Sequence, residues 1–159
     1  MTPLRQQGLS LIEVMIALFV FSFGLLALAA LMASGLKYNT SALHRSYATS
    51  QAYDMADRMR ANRLGLDLEC YDGLGGSGTA AKCFSESDSD PGCIESDCTP
   101  EQMAQYDSWQ WNSDNLRLLP EGTGTVSAKS SNPDIYTITV TWKTNIATEP
   151  ESFVFEFQP

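Results

Sequence analysis

The residues best equipped for chemistry in this 159-residue chain are its four cysteines, Cys70, Cys83, Cys93 and Cys98. Cysteines in such numbers either bind a metal as thiolates or pair as disulfides. Zinc is disfavoured because the chain has no Cys-x-x-Cys and its sole histidine, His44, lies well upstream. The even count suits disulfides in an oxidising compartment, where four cysteines allow three pairings. Cys70 with Cys83 and Cys93 with Cys98 is preferred because both bridges close short local loops; spacing leaves the connectivity open.

Other motifs promise less. Gly73-Leu74-Gly75-Gly76-Ser77-Gly78 spells GxGxxG but lacks the preceding strand, following helix and downstream acid of a dinucleotide site. Glu86-Ser87-Asp88-Ser89-Asp90 begins like a calcium loop. Pro91 then stands where the turn glycine belongs and Asp97 where the bidentate glutamate belongs, so the stretch reads as a solvated acidic loop. No serine has the strand-turn-helix setting of an activated nucleophile. His44 reads as a solvated helix residue. The expectation is a non-enzyme with no catalytic set, metal or cofactor.

The more telling acid is Glu13. It heads the run Val14 to Leu36, 23 residues without a formal charge whose only polar side chains are Ser22 and Ser34. A helix of that length crosses the roughly 30 Å hydrocarbon core and exceeds the apolar core of about 7 to 15 residues in a cleaved secretory signal. An ordinary anchor gives no reason for the acid. A carboxylate costs about 2.5 to 3.5 kcal/mol at the centre of a membrane helix and less near its edge. In the first turn it gains about 0.3 to 1 kcal/mol from the helix dipole.

The elements that position these groups follow from periodicity. No proline lies between Leu11 and Arg63, so one helix is expected from the apolar run to Asn62-Arg63-Leu64-Gly65, with Gly65 as its left-handed cap. Its second half carries Leu43, Tyr47, Ala48, Ala52, Met55 and Met59 toward a core, and Arg45, Gln51, Asp54 and Arg58 toward water. Residues 65–100 read as a cysteine-bearing loop. A short helix follows from Met103 to Leu119 with Tyr106, Trp109, Leu116 and Leu119, ended by Pro120. Alternation then gives strands at Thr123 to Lys129, Ile135 to Trp142 and Glu151 to Phe157, an antiparallel sheet whose apolar face carries Tyr136, Ile138, Val140, Trp142, Phe153, Phe155 and Phe157. The class is α+β, a long helix packed on a small sheet. With 10 basic and 19 acidic residues, net −9, the chain lacks the basic surface nucleic acid requires.

Gly8-Leu9-Ser10-Leu11-Ile12-Glu13, behind a short leader containing Arg5 and ahead of the apolar run, resembles the class III leader of type IV pilins and pseudopilins. The resemblance implies that a prepilin peptidase cuts after Gly8 and methylates Leu9, where the family more often has Phe. Residues 1–8 are then the leader, 9–36 the transmembrane and assembly helix, 37–64 its amphipathic continuation and 65–159 a periplasmic domain. Glu13 becomes the fifth residue of the mature chain. In a filament it would pair with the terminal amine of an adjacent subunit, in surroundings where an unpaired charge is costly. Arg5 is nearly balanced by Lys37 and Arg45, so the leader motif sets the orientation.

Ala56-Asp57-Arg58-Met59-Arg60-Ala61-Asn62, the Trp-bearing Tyr106 to Leu119 segment, Leu119-Pro120-Glu121-Gly122 and Ile138-Thr139-Val140-Thr141-Trp142 resemble the PilV group of minor pilins, the type IV pilus modification proteins. That narrower resemblance implies an inner-membrane precursor that joins other minor and major pilins in priming assembly or at the filament tip, with roles in twitching motility and adhesion. A minor pseudopilin of a type II secretion system and a signal-anchored periplasmic binding domain are the alternatives.

Overall fold

Without a proline to interrupt it, the sequence forms a single 51-residue helix, α1 (Leu11–Ala61). The computed structural model describes residues 10–75, 83–84, 89–144 and 149–159, and the chain divides into a first unit ending at Thr40 and a second, Ser41–Pro159. In the first unit the side chains of α1 are exposed throughout, and α1 is long and apolar enough to cross a membrane.

The second unit contains the rest of α1, α2 (Arg63–Asp67), α3 (Pro100–Leu118), β1 (Thr123–Lys129), β2 (Asn132–Trp142) and β3 (Glu151–Phe157). The strands form one antiparallel sheet in the order β1-β2-β3. The expected α+β arrangement is therefore present. Ala48, Ala52, Met55, Ala56 and Met59 of α1 share a buried cluster with Tyr136, Ile138, Val140 and Trp142 of β2. Burial of such side chains contributes about 1.5 to 3 kcal/mol for each large one.

Local chemistry explains the start of α3. The Thr99 hydroxyl accepts the Gln102 N–H at 3.3 Å, while the Gln102 side-chain oxygen accepts the Thr99 N–H at 2.9 Å. This reciprocal cap satisfies two otherwise unpaired donors, and Pro100 occupies the first turn, where its missing N–H has no consequence. The Cys93–Cys98 disulfide closes immediately before that cap.

Several sequence expectations need correction. Gly65 is no left-handed cap: α1 ends at Ala61, and Gly65 lies inside α2 with its N–H donated to the Asn62 side-chain oxygen at 3.2 Å. The left-handed residue is Glu69, at φ 59°. Leu43 and Tyr47 do not join the core but stay partly exposed, whereas Gln51 is buried, because α3 covers a second side of α1. In α3 the buried positions are Ala104, Asp107, Ser108, Trp111 and Asn115, and Leu116 faces outward. Three of these five buried residues are polar, which hides the inward face of α3 from a reading of apolar spacing. His44 is half-buried rather than solvated, and its Nδ1 is buried without a hydrogen-bond partner among the described residues.

Trp111 seats against Gly124 of β1: a Cβ at that position would overlap the indole ring and the Asn115 amide. Such overpacking costs about 1 to 3 kcal/mol. Gly124→Ala should therefore lower the stability of the second unit by that amount in urea unfolding followed by tryptophan fluorescence, whereas Leu116→Ala should change it by less than about 0.5 kcal/mol, as expected for an exposed site.

Candidate functional site

The head of α1 is built by Ser10, whose carbonyl accepts the N–H groups of Glu13 at 3.0 Å and Val14 at 3.3 Å. Glu13 thereby falls in the first helical turn, where a carboxylate complements the unpaired N–H groups. It is exposed, as are Leu11, Ile12, Val14, Met15 and Ile16 around it. Gly8 and Leu9, the expected cleavage and methylation pair, lie outside the described residues. Farther along, the Ser22 hydroxyl donates to the Leu18 carbonyl at 2.7 Å, so this polar side chain is satisfied within the helix itself. Phe19 and Phe23 meet edge to face, their ring centres 4.7 Å apart.

The second unit holds a different concentration of charge. Arg58, near the end of α1, donates from Nε to Asp54 at 2.8 Å and from one terminal nitrogen to Gln110 at 2.9 Å and Asp107 at 3.3 Å. The other Asp107 oxygen accepts the Tyr71 hydroxyl at 2.6 Å. Asn62 completes the knot by donating to the Tyr71 oxygen at 3.1 Å and to the Pro100 carbonyl at 2.8 Å. The segments after α1 are thus tied back to it by hydrogen bonds that involve charges, each worth about 1.5 to 3 kcal/mol. Nearby, the Trp111 indole donates to the Gln51 carbonyl at 2.8 Å.

Burial governs the ionisation here. It pushes the Asp107 carboxyl above its ordinary range, although Tyr71 and Arg58 pull the other way. Burial, with the Asp107 charge beside it, also raises the Tyr71 phenol, which stays neutral. For Arg58 burial acts downward, but the hydrogen bond and charge of Asp54 and the charge of Asp107 more than offset it and keep the guanidinium protonated. These groups hold one another; they present no nucleophile beside a base. They form a structural clamp.

The knot was missed in the sequence although signals for it were present. Asp54 and Arg58 are an i, i+4 pair, and Asn62 is a preferred helix-capping residue. Placing Arg58 on the water side concealed that α3 would bring Asp107 to it.

All four cysteines are paired, as Cys70–Cys83 and Cys93–Cys98. Among the described residues no group of three or more His, Cys, Asp or Glu could hold a metal ion. Of the glycine run, Gly73 and Leu74 bond to β1, and residues 76–78 lie outside the description. Glu86, Ser87 and Asp88 of the acidic loop lie outside it too, while Asp90 accepts the Gly92 N–H at 2.8 Å.

Because Asp107 holds its proton more tightly folded than unfolded, its titration adds stability on acidification. That gain is complete below the unfolded value of about 3.9 and is lost as pH rises through the higher folded value. Asp107→Asn, which keeps an acceptor for Tyr71, removes this dependence. Urea unfolding of both full chains in detergent from pH 7 to 4 should show the stability difference shifting in favour of the wild type as pH falls.

Comparison with known proteins adds two matches. Residues 30–109, half of the chain, match the Tt1218-like family model, described as type IV pilin Tt1218. Residues 3–29 match the prokaryotic N-terminal methylation motif. No curated protein and no solved structure matches the chain. Arg58, Asn62, Tyr71, Asp107 and all four cysteines fall within the longer match, and Glu13 within the shorter.

Proposed function

The chain belongs to the type IV pilin family, and we propose that within it the protein is a minor pilin of a type IV pilus. A pilin with this methylation motif implies processing by a prepilin peptidase and assembly with other pilins. The apolar helix and the motif together fit anchoring in the inner membrane before assembly.

The observation that carries the reading is a methylation motif leading directly into a helix whose apolar side chains are exposed from Leu11 through Leu36. Cleavage between Gly8 and Leu9 frees an amine four residues ahead of Glu13. In a filament the neighbours of this helix are other such helices, so the Glu13 carboxylate of one subunit meets the methylated Leu9 amine of the next. Residues 37 onward then lie on the periplasmic side of the precursor, where Cys70–Cys83 and Cys93–Cys98 oxidise. The PilV-like motifs support a place in priming assembly or at the tip, and through it a part in twitching motility and adhesion.

Removing one partner of a buried ion pair costs about 3 to 5 kcal/mol because the other charge is left uncompensated. Glu13→Ala should therefore reduce recovery of the chain in sheared pili by at least about tenfold, with its amount in the inner membrane unchanged. Equal recovery of variant and wild type would exclude the pairing. A wild-type chain that stays with the membrane or copurifies with a secretion apparatus would exclude the pilus role.

A further inference from the structure

The two disulfides sit in unlike surroundings. Cys70 is fully buried in the core cluster and Cys83 packs against that cluster, so core contacts help to hold these two sulfurs together. Cys93 and Cys98 are half-buried, neither belongs to the core cluster, and the turn they close, Ile94 to Asp97, is exposed throughout. Ile94 at its start is 80% exposed.

The difference matters because thiol–disulfide exchange requires a thiolate to reach a sulfur directly, and access governs which bridge reacts. Cys98 borders a cavity of about 360 Å³, within the size range that admits small molecules. Thr99, Pro100, Asn62 and Arg58 line the same cavity, so a reductant entering it arrives between α3 and the charged knot.

What this bridge holds is the start of α3. Cys98 directly precedes Thr99, whose hydroxyl accepts the Gln102 N–H and whose carbonyl accepts the Met103 N–H at 2.9 Å. Cys93 Sγ lies 3.7 Å from the Gln102 carbonyl oxygen, so the bridge folds its turn back onto the first turn of the helix. One residue past the cap, the Pro100 carbonyl accepts the Asn62 amide, which also donates to Tyr71, the residue after Cys70. Asn62 therefore grips two segments, one anchored in the core through Cys70 and the other carrying the surface bridge.

We propose that Cys93–Cys98 is a redox lock on the start of α3, opened by a dithiol reductant while Cys70–Cys83 stays closed, and that its opening frees the first turn of α3 without unfolding the sheet. One thiolate of the reductant attacks Cys98 Sγ from the cavity, the Cys93–Cys98 bond breaks and Cys93 leaves as a thiolate. The second thiolate of the reductant attacks the mixed disulfide, closes the reductant's own disulfide and releases Cys98. Two electrons pass to the chain, and each freed cysteine takes up a proton. Residues 93–98 then regain the conformational freedom that the bridge withheld, which favours opening of the adjoining cap.

The test treats the full chain in detergent with dithiothreitol for graded times, alkylates the free thiols and reads each cysteine by mass spectrometry. Cys93 and Cys98 should label at least about tenfold faster than Cys70 and Cys83. Equal rates, or earlier opening of Cys70–Cys83, overturn the proposal. In the chain with Cys93–Cys98 alone reduced, hydrogen exchange at the Gln102 and Met103 amides should quicken at least about tenfold, with Ile138 and Val140 of β2 unchanged. Unaltered exchange at Gln102 and Met103 contradicts a lock on α3. Quickened exchange in β2 as well shows a staple of the whole unit and equally overturns it. Removing the reductant and reoxidising should restore the original pattern, and failure to do so rules out a switch. The double variant Cys93→Ser, Cys98→Ser should reproduce the pattern of the reduced chain, which carries the test by itself where the variant does not fold.

Discussion

From Val14 to Leu36 the helix surface is apolar on every side apart from Ser22 and Ser34, and it is exposed among the described residues. That constraint organises the rest. Water is an unsuitable solvent for such a surface, since each fully buried Leu, Ile, Val, Phe or Met gains about 1.5 to 3 kcal/mol over the exposed state. Lipid satisfies it in a precursor, and the same surface of neighbouring subunits satisfies it in a filament. Ser22 can enter either setting because its hydroxyl is already bonded to the Leu18 carbonyl. Glu13 cannot do so alone, and the proposed terminal amine of a neighbour would give the acid a physical purpose.

The second unit solves a different problem, holding three helices and a three-stranded sheet around one core. α1 and β2 together supply half of the buried apolar residues of that core. The Arg58 knot adds direction, because an arginine, an aspartate, a tyrosine and an asparagine satisfy one another in only a narrow range of geometries. A hydrophobic contact would tolerate rotation of α3 about its axis; the bond from Tyr71 to Asp107 and the seat of Trp111 against Gly124 do not. The Cys70–Cys83 disulfide ties Cys83 to the core, where Cys70 is fully buried, and Cys93–Cys98 closes the segment just before α3.

Much of this was legible in the sequence. β2 announced itself through alternation of Tyr136, Ile138, Val140 and Trp142 with Thr137, Thr139 and Thr141, β3 through its alternating phenylalanines, and the sheet has the expected buried face on β2. Ala48, Ala52, Met55 and Met59 gave the inward stripe of α1 because their spacing is helical and their surroundings polar. Where the reading failed, the buried face was itself polar. Asp107, Ser108 and Asn115 in α3, and Gln51 and Arg58 in α1, look like surface residues until their partners are in place. Gly65 failed for another reason: Asn62 starts a new short helix, so the glycine serves close approach to the Asn62 side chain and not a turn. The head of α1 was legible through a family resemblance carried by six residues, and the charge pairing proposed for it belongs to an assembly that a single chain does not contain.

The most direct measurement of the central claim is the mass of the N-terminal peptide from chain purified out of cells with an active prepilin peptidase. The account predicts a peptide that begins at Leu9 and carries one methyl group on its amine. A peptide that still begins at Met1 contradicts it, because Glu13 would then have no nearby terminal amine to meet and the apolar helix would be a membrane anchor only.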